Sequence, residues 1–170
     1  MRIACVGARG TPPHILKWME ETGAKIVHAG HTLVTGNAPG ADQAWARGGN
    51  SVDPKKVELC LPWGDFEEKS VHLDNVVRVF DGEDRYLKIA AGCHPRWKVV
   101  SPAGRCLQAR NIMILEGSVM AIGYLDMRKR SGGGTGGVKR AAERVFKILF
   151  HSVGDPAVRA TLDKFLWEGL

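Results

Sequence analysis

The sequence predicts an α/β protein, a Rossmann-like, doubly wound and mostly parallel sheet with helices on both faces. Three observations lead there. Short apolar runs alternate with stretches of helical periodicity, the pattern of successive strand–helix units. Two of those runs end in glycine-rich turns, Gly7-Ala8-Arg9-Gly10 and Thr35-Gly36-Asn37-Ala38-Pro39-Gly40-Ala41-Asp42, and a third turn, Ser131-Gly132-Gly133-Gly134-Thr135-Gly136-Gly137, follows a basic stretch. Each turn can lead into a helix. Glycine lets backbone N–H groups approach an anion and a helix N-terminus adds partial positive charge, so this grammar is how an open α/β sheet builds a phosphate site.

Taken in order, Arg2 to Val6 reads as a buried strand, and Thr11-Pro12-Pro13 opens a helix that runs to about Thr22 and closes at Gly23. Lys25 to Ala29 or Thr32 to Val34 supplies the second strand, and Asp42 to Gly48 forms a short helix with Ala41, Ala44, Trp45 and Gly48 on one face. Lys56 to Leu61 is a third strand, ended by Pro62. Glu67 to Asp81 shows no clean period. Tyr86, Ile89, Ala90 and Cys93 then mark an amphipathic helix that His94-Pro95 terminates, and Pro102 starts another through about Leu115. Ser118 to Leu125 is the clearest strand, apolar enough to be central. A helix over Lys139 to Arg144, a strand or helix extension over Val145 to Val153, and a closing amphipathic helix carrying Val158, Thr161, Leu162 and Phe165 complete the chain.

A chain of 170 residues with 44% hydrophobic content buries enough surface for a single domain, here residues 1–170 with a C-terminal helix in 154–170. No apolar run approaches the roughly 18 residues of a membrane span, and Met1-Arg2-Ile3-Ala4-Cys5-Val6 is too soon interrupted for a signal peptide, so a soluble, cytoplasmic protein is expected. Cys5, Cys60, Cys93 and Cys106 form no C-x-x-C pair and read as reduced and structural; Cys93-His94 with Cys106 has no zinc-finger spacing, so no metal is expected. The net charge of +6 is uneven: residues 1–84 hold 9 Lys/Arg against 12 Asp/Glu, and residues 85–170 hold 15 against 6. A basic second half suits a polyanion, a phosphorylated small ligand, or simply a solvated face.

Roles follow from residue chemistry. Backbone N–H groups around Gly133, Gly134, Thr135, Gly136 and Gly137 would form an anion nest, the Thr135 hydroxyl would donate to phosphate, and Lys129, Arg130 or Lys139 would add charge; a flexible surface linker is the alternative. Arg9 is placed to reach a phosphate or stack on a base, or is a surface arginine. Asp42 would bond a ribose hydroxyl or cap a helix, roles that can coexist. Arg110 and Asn111 sit among Ile112, Met113 and Leu115, so one helix face must hold them toward a polar site or solvent. His94 and Trp97 read either as a proton-transfer group with a stacking aromatic or as a packed helix end.

These motifs, in this order, resemble the SLOG superfamily of Rossmann-like domains, which includes the LOG nucleotide phosphoribohydrolases and the DNA-processing protein DprA. Gly7 and Arg9 match its opening G-x-R turn, Thr35 to Asp42 resembles its S-G-G-A-x-G-A-D loop, Arg110-Asn111 its R-N pair, and Gly133-Gly134-Thr135-Gly136 its G-G-T loop. Leu61-Pro62-Trp63, His94-Pro95-Arg96-Trp97 and Ala109-Arg110-Asn111 are similar to segments of small DprA-like proteins of bacteriophages. The resemblance covers most of the chain and implies a nucleotide site made by Gly7, Arg9, Thr35, Gly36, Asn37, Gly40, Asp42, Arg110, Asn111, Gly133, Gly134, Thr135 and Gly136. Two departures stand out. Asn37 replaces the second glycine of the loop, and Val138 occupies the position of the LOG catalytic glutamate.

Three functions are compatible with this reading. The resemblance favours binding of a nucleotide or nucleotide-derived ligand for sensing or sequestration, with no further cofactor. An N-glycosidase or phosphoribohydrolase-like enzyme would need an anion near the ribose, with Asp42, Arg110 and Glu116 as weak candidates and Asp126 nearby, and the glutamate replaced by Val138 argues against it. A DprA-like single-stranded DNA binder would use the basic second half with Trp63 or Trp97 stacking on bases. SLOG relatives often pair, so a homodimer is also expected.

Overall fold

The computed structural model describes residues 1–127 and 133–167. Within them six strands form one all-parallel sheet of order β4-β3-β2-β1-β5-β6: β1 Arg2–Gly7, β2 Thr32–Thr35, β3 Val57–Leu61, β4 Val76–Val79, β5 Met120–Tyr124 and β6 Phe150–Ser152. The helices are α1 Pro13–His28, α2 Ala41–Asn50, α3 Asp84–Cys93, α4 Pro102–Leu115, α5 Gly133–Ala141 and α6 Pro156–Trp167. The Rossmann-like, doubly wound fold class read from the sequence is the one observed.

Successive residues of a strand point to opposite sheet faces, and the two cores divide accordingly. Ile3, Cys5, Leu33, Leu59 and Ile122 pack under α1, α2 and α6, whereas Ala4, Val6, Val34, Cys60 and Ala121 pack under α3, α4 and α5. Both faces of β1 and β5 are therefore buried at their centres, where Ile3 to Val6 and Ala121 to Gly123 are apolar, as parallel strands covered by helices must be. From β1 the chain winds outward through β2, β3 and β4, then returns to place β5 on the other side of β1. That reversal is a topological switch point, where the loops after β1 and β5 diverge and leave a crevice at the carboxyl ends of the strands.

Two expectations are corrected here and two open readings are resolved. Helix α1 does not close at Gly23 but continues to His28. Gly23 is there for packing: a Cβ on it would lie 2.6 Å from the Trp45 carbonyl oxygen, and one on Gly48 would lie 1.8 Å from that of Glu20, so α1 and α2 touch backbone to backbone. Trp45, wholly buried between them, meets Trp18 edge to face with centroids 5.9 Å apart, a pairing worth about 0.5–1.5 kcal/mol beyond its buried area. Of the two segments offered for the second strand, Thr32–Thr35 forms it, because Lys25 to His28 extends the helix. The unassigned stretch contains β4, a four-residue edge strand. Helix α5 begins at Gly133 rather than Lys139 and runs into a π-helical turn over Ala142–Phe146, so Gly133 to Gly137 are helix and not an open glycine loop. Lys129, Arg130, Ser131 and Gly132 lie outside the described residues.

Candidate functional site

The crevice at the switch point is a cleft of about 300 Å³ lined by the β1 end (Val6, Gly7, Ala8, Arg9), Ala38 and Asp42, three residues of α4 (Leu107, Arg110, Asn111), and Gly134, Thr135 and Val138 of α5. Seven of the thirteen residues expected at the site line it: Gly7, Arg9, Asp42, Arg110, Asn111, Gly134 and Thr135. Four stretches far apart in sequence converge because β1 and β5 are neighbours in the sheet, α4 packs over β3 and β1, and α5 packs over β5 beside it.

The loop after β2 supports the cleft from behind. Asp42, in the first turn of α2, accepts a hydrogen bond from the Ala38 N–H (3.4 Å) and an ion pair from Arg110 Nη1 (3.1 Å). Both side chains are about 95% buried. Burial pushes the Asp42 carboxyl above its ordinary range, opposed by Arg110 and by the backbone N–H groups of Ala38 and Gly7. The guanidinium also lies 5.8 Å above the Phe66 ring, which stands edge-on to Trp63 at 5.2 Å. Sequence reasoning did not place Phe66 here, although its segment Leu61-Pro62-Trp63-Gly64-Asp65-Phe66 directly follows a strand at this edge of the sheet.

Gly36 and Gly40 act through shape. A Cβ on Gly36 would fall 1.2 Å from Arg110 Nη1, so only glycine leaves room for the guanidinium. Gly40 has φ +93° and packs against the Arg9 backbone, which fixes the approach of the loop to the β1 turn. Asn37 adopts the left-handed conformation (φ +58°) that a glycine would take, and its side chain donates to the Glu67 carbonyl at 3.2 Å. Asn37 and Thr35 are fully buried, are not cleft-lining residues, and serve as scaffold. Gly133 opens α5, and Gly136 is buried inside its first turns.

At the front, Arg9 is exposed and holds no ion pair among the described residues. A Cβ on Gly134 would meet the amides of Gln108 (3.5 Å) and Asn111 (3.7 Å), so α4 lies directly against the first turn of α5. The first turn of a helix has backbone N–H groups without intrahelical partners, and this one opens on a cleft with two arginines and one carboxylate. Leu107 and Val138 make the apolar walls; Leu107 was legible as the residue one turn before Arg110 and Asn111 on the same helix face.

Glu116 is elsewhere. It follows α4 on the way into β5, paired with Arg78 at 2.7 Å and Arg85 at 2.8 Å and accepting from the Tyr86 hydroxyl at 2.9 Å. Arg78 and Arg2 both also hold Glu58, which is nearly buried. Glu116 is thus part of a structural ion network and not of the cleft. Asp126 is buried just beyond β5 and is not a cleft-lining residue. Trp97 packs beneath Arg105 (5.5 Å) and edge-on to His94 (6.3 Å), the packed helix end rather than a cleft wall. Cys5, Cys60 and Cys93 are buried free thiols and Cys106 is a half-buried one, with the Cys60 thiol pushed up to about 12 chiefly by burial. Among the described residues no group of three metal-ligating side chains gathers, and no helix is long and apolar enough to cross a membrane. Comparison of the chain with family models, curated proteins and solved structures finds no match.

Proposed function

We propose that this protein binds a nucleotide or nucleotide-derived ligand in the switch-point cleft, as a SLOG-type, DprA-like domain that senses or sequesters it. The observation that carries this reading is the convergence of Arg9, Asn111, Thr135, the first turn of α5 and the Asp42–Arg110 pair on one cleft. An anionic phosphate suits the first four of these: an exposed guanidinium, a hydroxyl and helix N–H groups all donate, and the helix end adds positive potential. A volume near 300 Å³ is at the lower end for small-molecule sites and suits a mononucleotide.

Binding is favoured over hydrolysis by what occupies the walls. Asp42 is the one carboxylate among the described residues lining the cleft, and it is held by Arg110 and two backbone N–H groups. Val138 stands, 1% exposed, where the LOG-type hydrolases carry a glutamate. A general acid or a stabilising anion for an oxocarbenium-like transition state would have to come from Asp42 alone, whereas such chemistry uses two carboxyl groups.

A thermal-shift screen tests the reading, using nucleoside mono-, di- and triphosphates, ADP-ribose, cyclic nucleotides and a short single-stranded oligonucleotide. A ligand at 100 times its Kd stabilises by about 2.7 kcal/mol, a readily measured rise in Tm. One nucleotide class should stabilise the protein at moderate salt. Stabilisation by the oligonucleotide alone, lost steeply as salt rises, would replace this reading with DNA binding.

A further inference from the structure

The sheet has one uncovered edge. Strand β4 is parallel, and parallel strands are ordinarily buried on both faces, yet Val76, Val77 and Val79 are 47%, 42% and 42% exposed. Helices α1 and α2 pack over β1 to β3 and leave the side of β4 that carries Val77 and Val79 open. Leu73, just before the strand, is fully exposed. An apolar edge of this kind, without proline or an outward charge, is a template for another strand.

The geometry points to a second copy of this chain as the occupant, paired antiparallel to β4 across a two-fold axis at Arg78. The Phe80 N–H donates to the Leu61 carbonyl of β3 at 2.8 Å, so even-numbered residues of β4 turn their backbone groups inward and Val77 and Val79 turn theirs outward. With the axis at Arg78, Val77 of one copy faces Val79 of the other, twice, and the two pairs exchange four main-chain hydrogen bonds. On the other face Val76 meets the partner's Phe80. Arg78 itself carries its charge away from the axis, held by Glu58 and Glu116.

The ends of the strand are complementary in the same register. Asn75 bonds the Pro54 carbonyl at 3.0 Å, so exposed Lys55 and Lys56 lie beside the start of β4, and exposed Asp81 lies just past its end. Antiparallel pairing sets Asp81 of each copy opposite Asn75 of the other, next to those lysines. Asp53 accepts from the Lys55 N–H and Asp81 from the Glu83 N–H, each at 3.0 Å and each through Oδ1, so the second Asp81 oxygen is the one that faces the lysines in this register. Neither self-pairing nor this edge depends on the ligand reading of the cleft.

Size-exclusion chromatography with light scattering tests it, on the wild-type chain, V79K and V77P. At about 100 µM the wild type should run at twice its 18.5 kDa chain mass. V79K puts a charge at each Val77–Val79 contact, and V77P removes an outward N–H while leaving the bonds to β3 in place. Both should run at the single-chain mass, with circular dichroism showing an unchanged folded spectrum. A wild type of single-chain mass across the concentration range would overturn the proposal. So would a dimer whose mass neither variant alters, since a different surface would then hold it, or a variant lost to unfolding whose companion stays dimeric.

Discussion

Gly36 and Arg110 are in direct contact: a side chain on Gly36 would occupy the space of the Arg110 guanidinium, which in turn holds Asp42 at 3.1 Å. One glycine in the β2 loop thereby sets the position of an arginine on α4, 74 residues later, and through it the back wall of the cleft. G36A should displace the guanidinium, break the Asp42 pair and destabilise the fold by about 2–4 kcal/mol, the range of a buried clash that also strands a charge. Urea unfolding checks this; an unchanged midpoint would mean the loop yields without cost.

The Asp42–Arg110 pair is buried on both sides, so removing one partner leaves the other without compensation. R110A should lower stability by about 3–5 kcal/mol, and a double-mutant cycle with D42A should show that the second substitution costs far less once the first is made. Additive effects in urea unfolding would show that the two side chains do not act as a unit.

How much of this was legible in the sequence follows from what the residues themselves demand. Arg9 and Asp42 were legible at this edge because each follows a strand and a glycine turn, whereas Arg110 and Asn111 were assigned to it largely by the resemblance, the residues alone leaving site or solvent open. Gly23 misled because a helical glycine usually ends a helix, and only the close approach of α2 at Gly48 reveals why this one does not. Strand β4 was hidden by its shortness, and Glu116 was mistaken for a site residue because a lone carboxylate carries no sign of which end of the sheet it occupies. Gly133 to Gly137 read as a loop on propensity, and packing of α5 against α4 overrides that preference.

Arg9 is exposed at the cleft mouth and lies outside the core, so the proposed reading gives it a role in ligand binding alone. R9A should leave the Tm of the free protein within about 1 °C while weakening a phosphate-bearing ligand roughly tenfold to a hundredfold, the range for one charged hydrogen bond at 1.4 kcal/mol per decade. A large drop in the Tm of free R9A would instead make it structural.

Glu58 and Glu116 should contribute to the loss of stability in acid. Burial works against each charged carboxylate, but Arg2 and Arg78 for Glu58, and Arg78, Tyr86 and Arg85 for Glu116, hold both pKa values below their ordinary 4.5. A depressed folded-state pKa gives stability that is complete above the unfolded value and lost as pH falls through the folded one. Thermal unfolding should therefore worsen below about pH 4.5. E58Q should cost about 1–3 kcal/mol at pH 7 and show a shallower loss on acidification. An E58Q curve parallel to the wild type would place the acid sensitivity in other groups.

Under the proposed function the cleft holds the phosphate of a nucleotide. Isothermal titration of the wild-type protein and of R9A/T135V, with a nucleoside 5′-monophosphate and with the same nucleoside lacking phosphate, tests it most directly, using the compound that gives the largest thermal shift. Wild type should give a saturable signal with the nucleotide and little or none with the nucleoside, and the double variant should lose the nucleotide signal. Equal affinity of nucleotide and nucleoside, or a double variant that binds like wild type, would contradict it.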